Sequence, residues 1–264
     1  MPALHSRVMS NVRDAFSNLS VICGERVQEF PGIRCVRHPS RSSDFNMAFL
    51  SGGEAIEYPV MKEVQGFYRE IGSEWCLVVP PKFTDLFGTT MKLVPISQRR
   101  SIPEMILRGE DARVPPPPAE LTIRVAKRVK DTRSWTETMT QGFAPGARNI
   151  FRSMLNSASL RSSGFVACTG WVSGSAVATS GLYVSGSVGG IFGVSTIQRA
   201  RGRGYGAAMT WAAIREGLSR GCDLFSLQAS NMGFPLYHRM GFRRIFDIEE
   251  WVVPRKAPDV RNSR

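Results

Sequence analysis

The sequence predicts a mixed α/β fold in two parts, and three observations carry that reading. Strand-type and helix-type segments alternate through the second half of the chain. A run of four prolines, Pro115 to Pro118, sets that half off from the first. A basic, glycine-rich turn joins a strand-type run to a helix-type run within residues 193–208. The 264 residues suffice for one large domain or two small ones, and a hydrophobic content of 42% is ordinary for a folded protein.

Residues 1–114 open with a helix over Ser6 to Leu19. Ile33–Arg37 and Asn46–Leu50 read as strands, and Val60–Glu70 is amphipathic at helical spacing. Trp75–Val79 is an apolar strand stopped by Pro80 and Pro81. Lys82–Phe87 reads as a short helix and Met105–Leu107 as part of a last strand. Four successive prolines favour an extended, semi-rigid segment and fit neither a helix interior nor a central strand, so 115–118 reads as a linker. After it, Leu121–Ala126 alternates apolar and polar as a half-buried strand does. Thr132–Phe143 and Ala147–Ala158 read as helices split by Ala144-Pro145-Gly146. Phe165–Val172, Ala176–Val184 and Gly190–Thr196 are strands joined by Gly/Ser turns. The glycine-rich turn follows, with a helix over Ala207 to Ser219, then an apolar strand over Cys222–Ala229. Phe234–Met240 is a short helix ending at Gly241, Arg243–Val253 a strand or hairpin, and the tail from Pro254 is loose. The division expected is a domain over 1–114, the linker, a second domain over 119–254 and a tail over 255–264.

Composition narrows the function. Cys23, Cys35, Cys76, Cys168 and Cys222 are odd in number and widely spaced, which fits neither a disulfide framework nor a zinc site. Three scattered histidines give no ligand spacing, so no metal is expected. There is no apolar run of about 18 residues and no signal-peptide core in Met1–Asp14; the expectation is a cytoplasmic protein that meets no membrane. The net charge is +12, and its distribution is uneven. Residues 1–118 hold 14 Lys+Arg against 13 Asp+Glu, residues 119–264 hold 20 against 9. A basic field of this kind steers anionic ligands; the plain alternative is a solvated basic face.

The turn itself has a definite chemistry. Arg201-Gly202-Arg203-Gly204-Tyr205-Gly206-Ala207 leads into a helix, so unpaired backbone N–H groups meet a positive dipole end with arginines alongside. Gly202, Gly204 and Gly206 let a phosphate approach the backbone. The spacing is not G-x-G-x-x-G, and no G-x-x-x-x-G-K-[ST] is present. The competing reading is a tight strand-to-helix connection.

Arg201-x-x-Gly204-x-Gly206, with Ala229-Ser230-Asn231-Met232-Gly233-Phe234-Pro235-Leu236-Tyr237-His238-Arg239-Met240-Gly241-Phe242 a helix and a strand later, resembles the GNAT (Gcn5-related N-acetyltransferase) superfamily. The resemblance covers residues 119–254. It implies a central mixed, mostly antiparallel sheet flanked by helices. Phe45-Asn46, the Trp75–Pro80 strand and the prolines resemble the degenerate first half of tandem GNAT proteins, so residues 1–114 are expected to form a second, smaller α/β domain of GNAT type. Many family members carry a proline just after the fourth strand, where this chain has Ile197 or Gln198.

The resemblance further implies acetyl-CoA as co-substrate and direct acetyl transfer to an amine. Amides from about Gly202 to Ala207, including those of Tyr205 and Gly206, would cradle the pyrophosphate, with Arg201 and Arg203 supplying charge. The strand edge at Val194, Ser195 and Thr196 would pair with the pantetheine arm, and a backbone N–H of that segment would polarise the thioester. Asn231 would bond the arm. Ser230 would either do the same or close a turn. Tyr237 would protonate the leaving thiolate. For the base, Glu137, Glu249, Glu250 and a water chain all remain open. Cys168 lies in an apolar strand and is rejected as a nucleophile. The acceptor expected is a small-molecule amine. The alternatives are a macromolecular acceptor such as aminoacyl-tRNA or protein, drawn by the basic half, and a non-catalytic acetyl-CoA sensor. No aromatic-interleaved basic motif favours nucleic acid. Oligomeric state is not readable.

Overall fold

The computed structural model describes residues 3–51, 57–81, 94–127, 129–143 and 164–255. The helices expected over Lys82–Phe87 and Ala147–Ala158, and the tail beyond Arg255, lie outside the described residues. In chain order the elements are α1 (Leu4–Ile22), β1 (Val27–Phe30), β2 (Ile33–Val36), β3 (Met47–Leu50), α2 (Tyr58–Glu70), β4 (Trp75–Val79) and β5 (Gln98–Arg108). There follow β6 (Thr122–Val125), α3 (Val129–Phe143), β7 (Phe165–Val172), β8 (Ser175–Ser185) and β9 (Val188–Thr196). The last are α4 (Tyr205–Ser219), β10 (Leu224–Gln228), α5 (Phe234–Arg239) and β11 (Arg243–Val253). Among the described residues, β1 is the strand that the sequence reading lacks, and β5 begins seven residues before Met105.

The chain forms two compact units, and they do not divide at the prolines. Unit 1 is Met1–Ala15 with Pro103–Ile245, and unit 2 is Phe16–Ile102 with Phe246–Arg264. The prolines lie inside unit 1 because the chain around them belongs to its core. Ala112 and Val114 pack on that core, and Leu121 just beyond is buried in it. The division falls instead within β5 and within β11.

In unit 1 the strand order is β5-β10-β9-β8-β7-β6. Every neighbouring pair is antiparallel except β9 with β10. One face is covered by α4, where Gly217 and Gly189 leave room for the Phe225 ring. The other face is covered by α3 and the start of α1. Trp135 of α3 donates its indole N–H to the Ser180 carbonyl at 2.8 Å, and Asn11 of α1 donates to the carbonyls of Tyr183 and Val188 at 3.2 and 3.0 Å. Arg7 holds the helix start through Ser187 Oγ and Asp223 Oδ1 at 2.8 and 2.6 Å.

Unit 2 has strand order β1-β2-β3-β4-β11, again antiparallel apart from one pair, β3 with β4. Helix α2 buries Met61, Val64, Phe67 and Tyr68 against it. The Tyr68 ring stacks on Trp75 at 4.9 Å, and its hydroxyl donates to the Met47 carbonyl at 2.6 Å, which satisfies the one polar group of a buried aromatic. Both units therefore combine a mixed, mostly antiparallel sheet with covering helices, as expected.

Candidate functional site

The site begins where β9 and β10 part. As parallel neighbours they share three register positions, Val188–Gly190 against Leu224–Ser226. The rest of β9, to Thr196, runs on without β10 on that side, so among the described residues its backbone edge is open there. Opposite β8 the ladder slips between Thr179 and Gly181, whose partners are Ser195 and Phe192. The extra residues form a bulge at Gly193 and Val194. Gly193 takes φ +58°, and a Cβ there would meet Met139 Sδ at 2.8 Å and Trp135 at 2.9 Å, so helix α3 dictates a glycine. A bulge leaves backbone groups out of the ladder, here beside the open edge.

At the end of β9 the chain makes a 3₁₀ turn, Gln198–Ala200, and then the glycine turn. Gly202 and Gly204 both adopt left-handed φ, +77° and +76°, and open space surrounds the position of a Cβ at each. Gly204 is the N-cap of α4 and brings no side-chain cap; the first intrahelical bond is Ala208 N–H to the Gly204 carbonyl at 3.0 Å. Among the described residues the amides of Gly202 through Ala207 make no hydrogen bond. Six backbone donors at and just before a helix N-terminus are thus left without a backbone partner among the described residues. Gly206 is helical; its missing Cβ would touch Leu236 of α5 at 3.5 Å and Thr196 Oγ1 at 3.8 Å, so close helix packing, not φ, explains it.

The predicted side chains divide by what they touch. Arg201 donates to the carbonyls of Thr196 at 3.1 Å and Gly142 at 2.8 Å, so it ties the end of β9 to the end of α3 while bringing its charge to the turn. Arg203 is exposed. The Tyr205 ring is buried, and its hydroxyl donates to Glu120 Oε1 at 2.9 Å; only its amide is left for a ligand. Ser195 is buried under α3, its hydroxyl 3.5 Å from the Met139 carbonyl. Val194 and Thr196, on the alternate side, are half-buried toward α4. Ser230 closes a turn: its hydroxyl accepts from Gly233 N–H at 3.1 Å, and its carbonyl accepts from Gly233 and Phe234. Asn231 is exposed.

Tyr237 belongs to α5, which ends in a Schellman motif, with Phe242 N–H bonding the Tyr237 carbonyl and Gly241 at φ +95°. The ring packs edge-on against Phe242 at 5.9 Å and against Gly233, where a Cβ would approach it to 2.8 Å. Burial raises the phenol to about 12, so it stays protonated at any working pH. Of the acids weighed from sequence, Glu137 is exposed and pairs with Arg133 at 2.9 Å. Glu249 and Glu250 belong to unit 2, where Glu250 lies 3.1 Å from Arg100 and burial raises it to about 7. Cys168 is buried and its thiol is pushed up to about 12 by desolvation, which leaves it inert. The acid that sequence reading missed is Glu104 of β5, fully buried beside Gln228. The signal was a lone acid directly before Met105-Ile106-Leu107, and it passed unread because the strand was begun at Met105.

Among the described residues no cluster of His, Cys, Asp or Glu is arranged to hold a metal ion, and no helix is long and apolar enough to cross a membrane.

Residues 132–242 match the sequence model of the acetyltransferase (GNAT) family. No curated protein matches the chain in sequence. Among solved structures, a GCN5-related N-acetyltransferase from Kribbella flavida is similar over the full length of both chains, with a TM-score of 0.68 at 16% identity. A GCN5-related N-acetyltransferase from Sphaerobacter thermophilus scores 0.65 at 15% identity, over 86% of this chain and 78% of its own. A tandem GNAT protein from the clavulanic acid biosynthesis pathway scores 0.59 at 11% identity, over 98% of each. The turn, the parted strands and the Schellman-capped helix all fall within or beside the matched segment, so over residues 132–242 the chain is similar in sequence to the acetyltransferase (GNAT) family and has its fold.

Proposed function

We propose that the protein is an acetyl-CoA-dependent N-acetyltransferase that transfers the acetyl group directly from the thioester to the primary amine of a small-molecule acceptor. The observation that carries this is the continuity of one open path in unit 1. It runs from six unpaired amides at the start of α4, along the free edge of β9, to the bulge at Gly193 and Val194. An extended pantetheine arm is a strand-like ligand with amide groups, and the free edge offers it the pairing that β10 withdraws.

The residues then take the following roles. The amides of Gly202 to Ala207 hold the pyrophosphate, with Arg201 and Arg203 adding charge. Val194, Ser195 and Thr196 offer backbone groups to the arm, and Asn231 a side-chain amide. A donor freed by the bulge polarises the thioester carbonyl; one such preorganised donor is worth about 3–4 kcal/mol. Tyr237 donates to the developing thiolate. A thiol near 8.5 is a stronger acid than a phenol at about 12, so its main help is a hydrogen bond that strengthens as charge builds on sulfur.

The test has two steps. Acetyl-CoA should raise the melting temperature by mass action, and free thiol should then be released with some member of a panel of polyamines, arylalkylamines and amino sugars. No thermal shift at millimolar acetyl-CoA would end the reading. A shift without thiol release on any amine would favour a sensor. Release only with aminoacyl-tRNA or a protein would move the acceptor to the macromolecular class.

A further inference from the structure

The acceptor amine arrives as an ammonium ion and must lose a proton before it can attack, and neither the turn nor Tyr237 supplies a base. Unit 1 contains a buried carboxyl, that of Glu104, which its hydrogen bond satisfies only in part. Glu104 has no exposed surface. One of its oxygens accepts from Gln228 Nε2 at 2.5 Å, while Oε1 has no hydrogen-bond partner among the described residues. Ser226 Oγ, two residues earlier on β10 and on the same face, is likewise buried without a bond of good geometry. Unpartnered buried polar atoms are costly, and two in one cluster need a reason.

The strand register supplies the placement. Glu104 is paired with Gln228 at the C-terminal end of β10, beyond the last position where β10 touches β9. Phe225 and Leu227 point toward α4, so Ser226, Gln228 and Glu104 point to the face that carries α1 and α3. Ser195, on the far side of the gap, points to that same face. The phosphate turn and α5 with Tyr237 belong to the opposite face, where Leu236 meets Gly206. A thioester threaded through the gap would leave its sulfur on the Tyr237 side and open its carbonyl carbon to the Glu104 side. Gln228 is half-buried and marks the way in.

We propose that Glu104 is the catalytic base of the acetyl transfer, accepting a proton from the acceptor's ammonium group at Oε1, directly or over one water. This rests on the acetyltransferase reading above. The ammonium gives one proton to the carboxylate, and the freed lone pair forms the C–N bond. The C–S bond breaks with its electron pair on sulfur, toward which the Tyr237 hydroxyl donates a hydrogen bond. The nitrogen of the new amide gives up its second proton, which the Tyr237 hydroxyl relays to sulfur without a free phenolate forming. Glu104 releases the first proton to solvent, so each turnover yields the amide, free thiol and one proton. Burial holds the Glu104 carboxyl at about 8, against the opposing pull of Gln228 and Ser226. Asn11 of α1 lies on the same face against Gly190, and among the described residues no charged side chain contributes to the shift. A base in that range is well matched to an ammonium near 10.

The experiment uses the full chain as wild type, Glu104→Gln and Glu104→Asp. Thiol release from acetyl-CoA is followed from pH 6 to 9.5 with whichever of spermidine, tryptamine and glucosamine the wild type acetylates fastest, and acetyl-CoA binding is measured by calorimetry. Glu104→Gln should lose roughly 10²- to 10³-fold in kcat/KM, keep its acetyl-CoA affinity and lack the rise in rate centred near pH 8. Glu104→Asp should retain part of the rate and the rise. Glu104→Gln with a rate within threefold of wild type and the same pH profile would overturn the assignment alone. A wild type that binds no acetyl-CoA, or transfers to no amine, would overturn the proposed function and this inference with it.

Discussion

Replacing Glu104 by Gln should make the folded protein more stable, and increasingly so as the pH rises. The carboxyl is fully buried, and its pKa stands at about 8 against a usual 4.5. Between those values an unfolded chain carries the charge while the folded one remains protonated, so unfolding releases a proton and stability falls with rising pH. Each unit is worth 1.36 kcal/mol. The loss therefore amounts to about 3 kcal/mol at pH 7 and levels off at about 5 kcal/mol above pH 8, as an upper bound. Gln removes the titration and keeps the shape. Its carbonyl can accept from Gln228, and its amide can donate to the unpartnered Ser226 Oγ. Melting curves of both proteins at pH 5, 6, 7 and 8 and constant ionic strength check this. At 2–4 °C per kcal/mol for a domain of this size, the gap should widen from near zero toward roughly 10 °C. A gap that stays constant across that range, or a variant less stable than wild type at pH 8, would refute the reasoning. It would mean that the buried carboxyl is stabilised by something other than its two neighbours.

Tyr237→Phe should lower kcat by roughly 10- to 100-fold with acetyl-CoA affinity unchanged; melting should shift little, because among the described residues the hydroxyl bonds nothing, and an unchanged kcat would remove the phenol from the mechanism. Gly142→Ala should destabilise by about 2–3 kcal/mol in chemical denaturation, since its Cβ would lie 2.1 Å from Ser195 Oγ and 3.2 Å from the Thr196 amide nitrogen; the same change should loosen the β9 edge and raise the acetyl-CoA Kd. Gly204→Ala meets no atom within 4 Å, so only its left-handed φ of +76° resists, for about 1–2 kcal/mol; calorimetry should show weaker acetyl-CoA binding, because relaxing that φ turns the first amides of α4 away from a shared target.

Much of unit 1 was legible because its periods are clean. The alternation in Leu121–Ala126, the apolar runs of β7 to β10 and the glycine stop at Gly241 each state a local rule that the fold obeys. The glycine-rich turn was readable for the same reason, since Gly202 and Gly204 occupy the two left-handed positions. What stayed hidden depends on distant partners. Nothing local says that Gly193 sits under Trp135 and Met139, that Gly142 must clear Ser195, or that Arg201 reaches back to α3. Glu104 was passed over because an acid at a strand start looks solvated until Gln228, 124 residues later, is laid beside it. The prolines are a related case. Their composition signals a boundary, yet the chain on both sides of them is packed into the same core.

The discontinuous make-up of the two units has a consequence for how the chain is made. Residues 1–15 are made before residues 16–102 but belong with residues 103–245, and unit 2 cannot finish until residues 246–253 bring β11 to β4. Neither unit is encoded as an uninterrupted stretch, so unit 1 cannot close before residue 245 has been made, nor unit 2 before residue 253. The start of α1 must wait for its docking surface until residues 183–223 have been made, an interval in which its apolar side chains are exposed. A gene cut at Pro115–Pro118 would not liberate two domains. It would separate β5 from β10 and leave both products with unmet strand edges, prone to self-association.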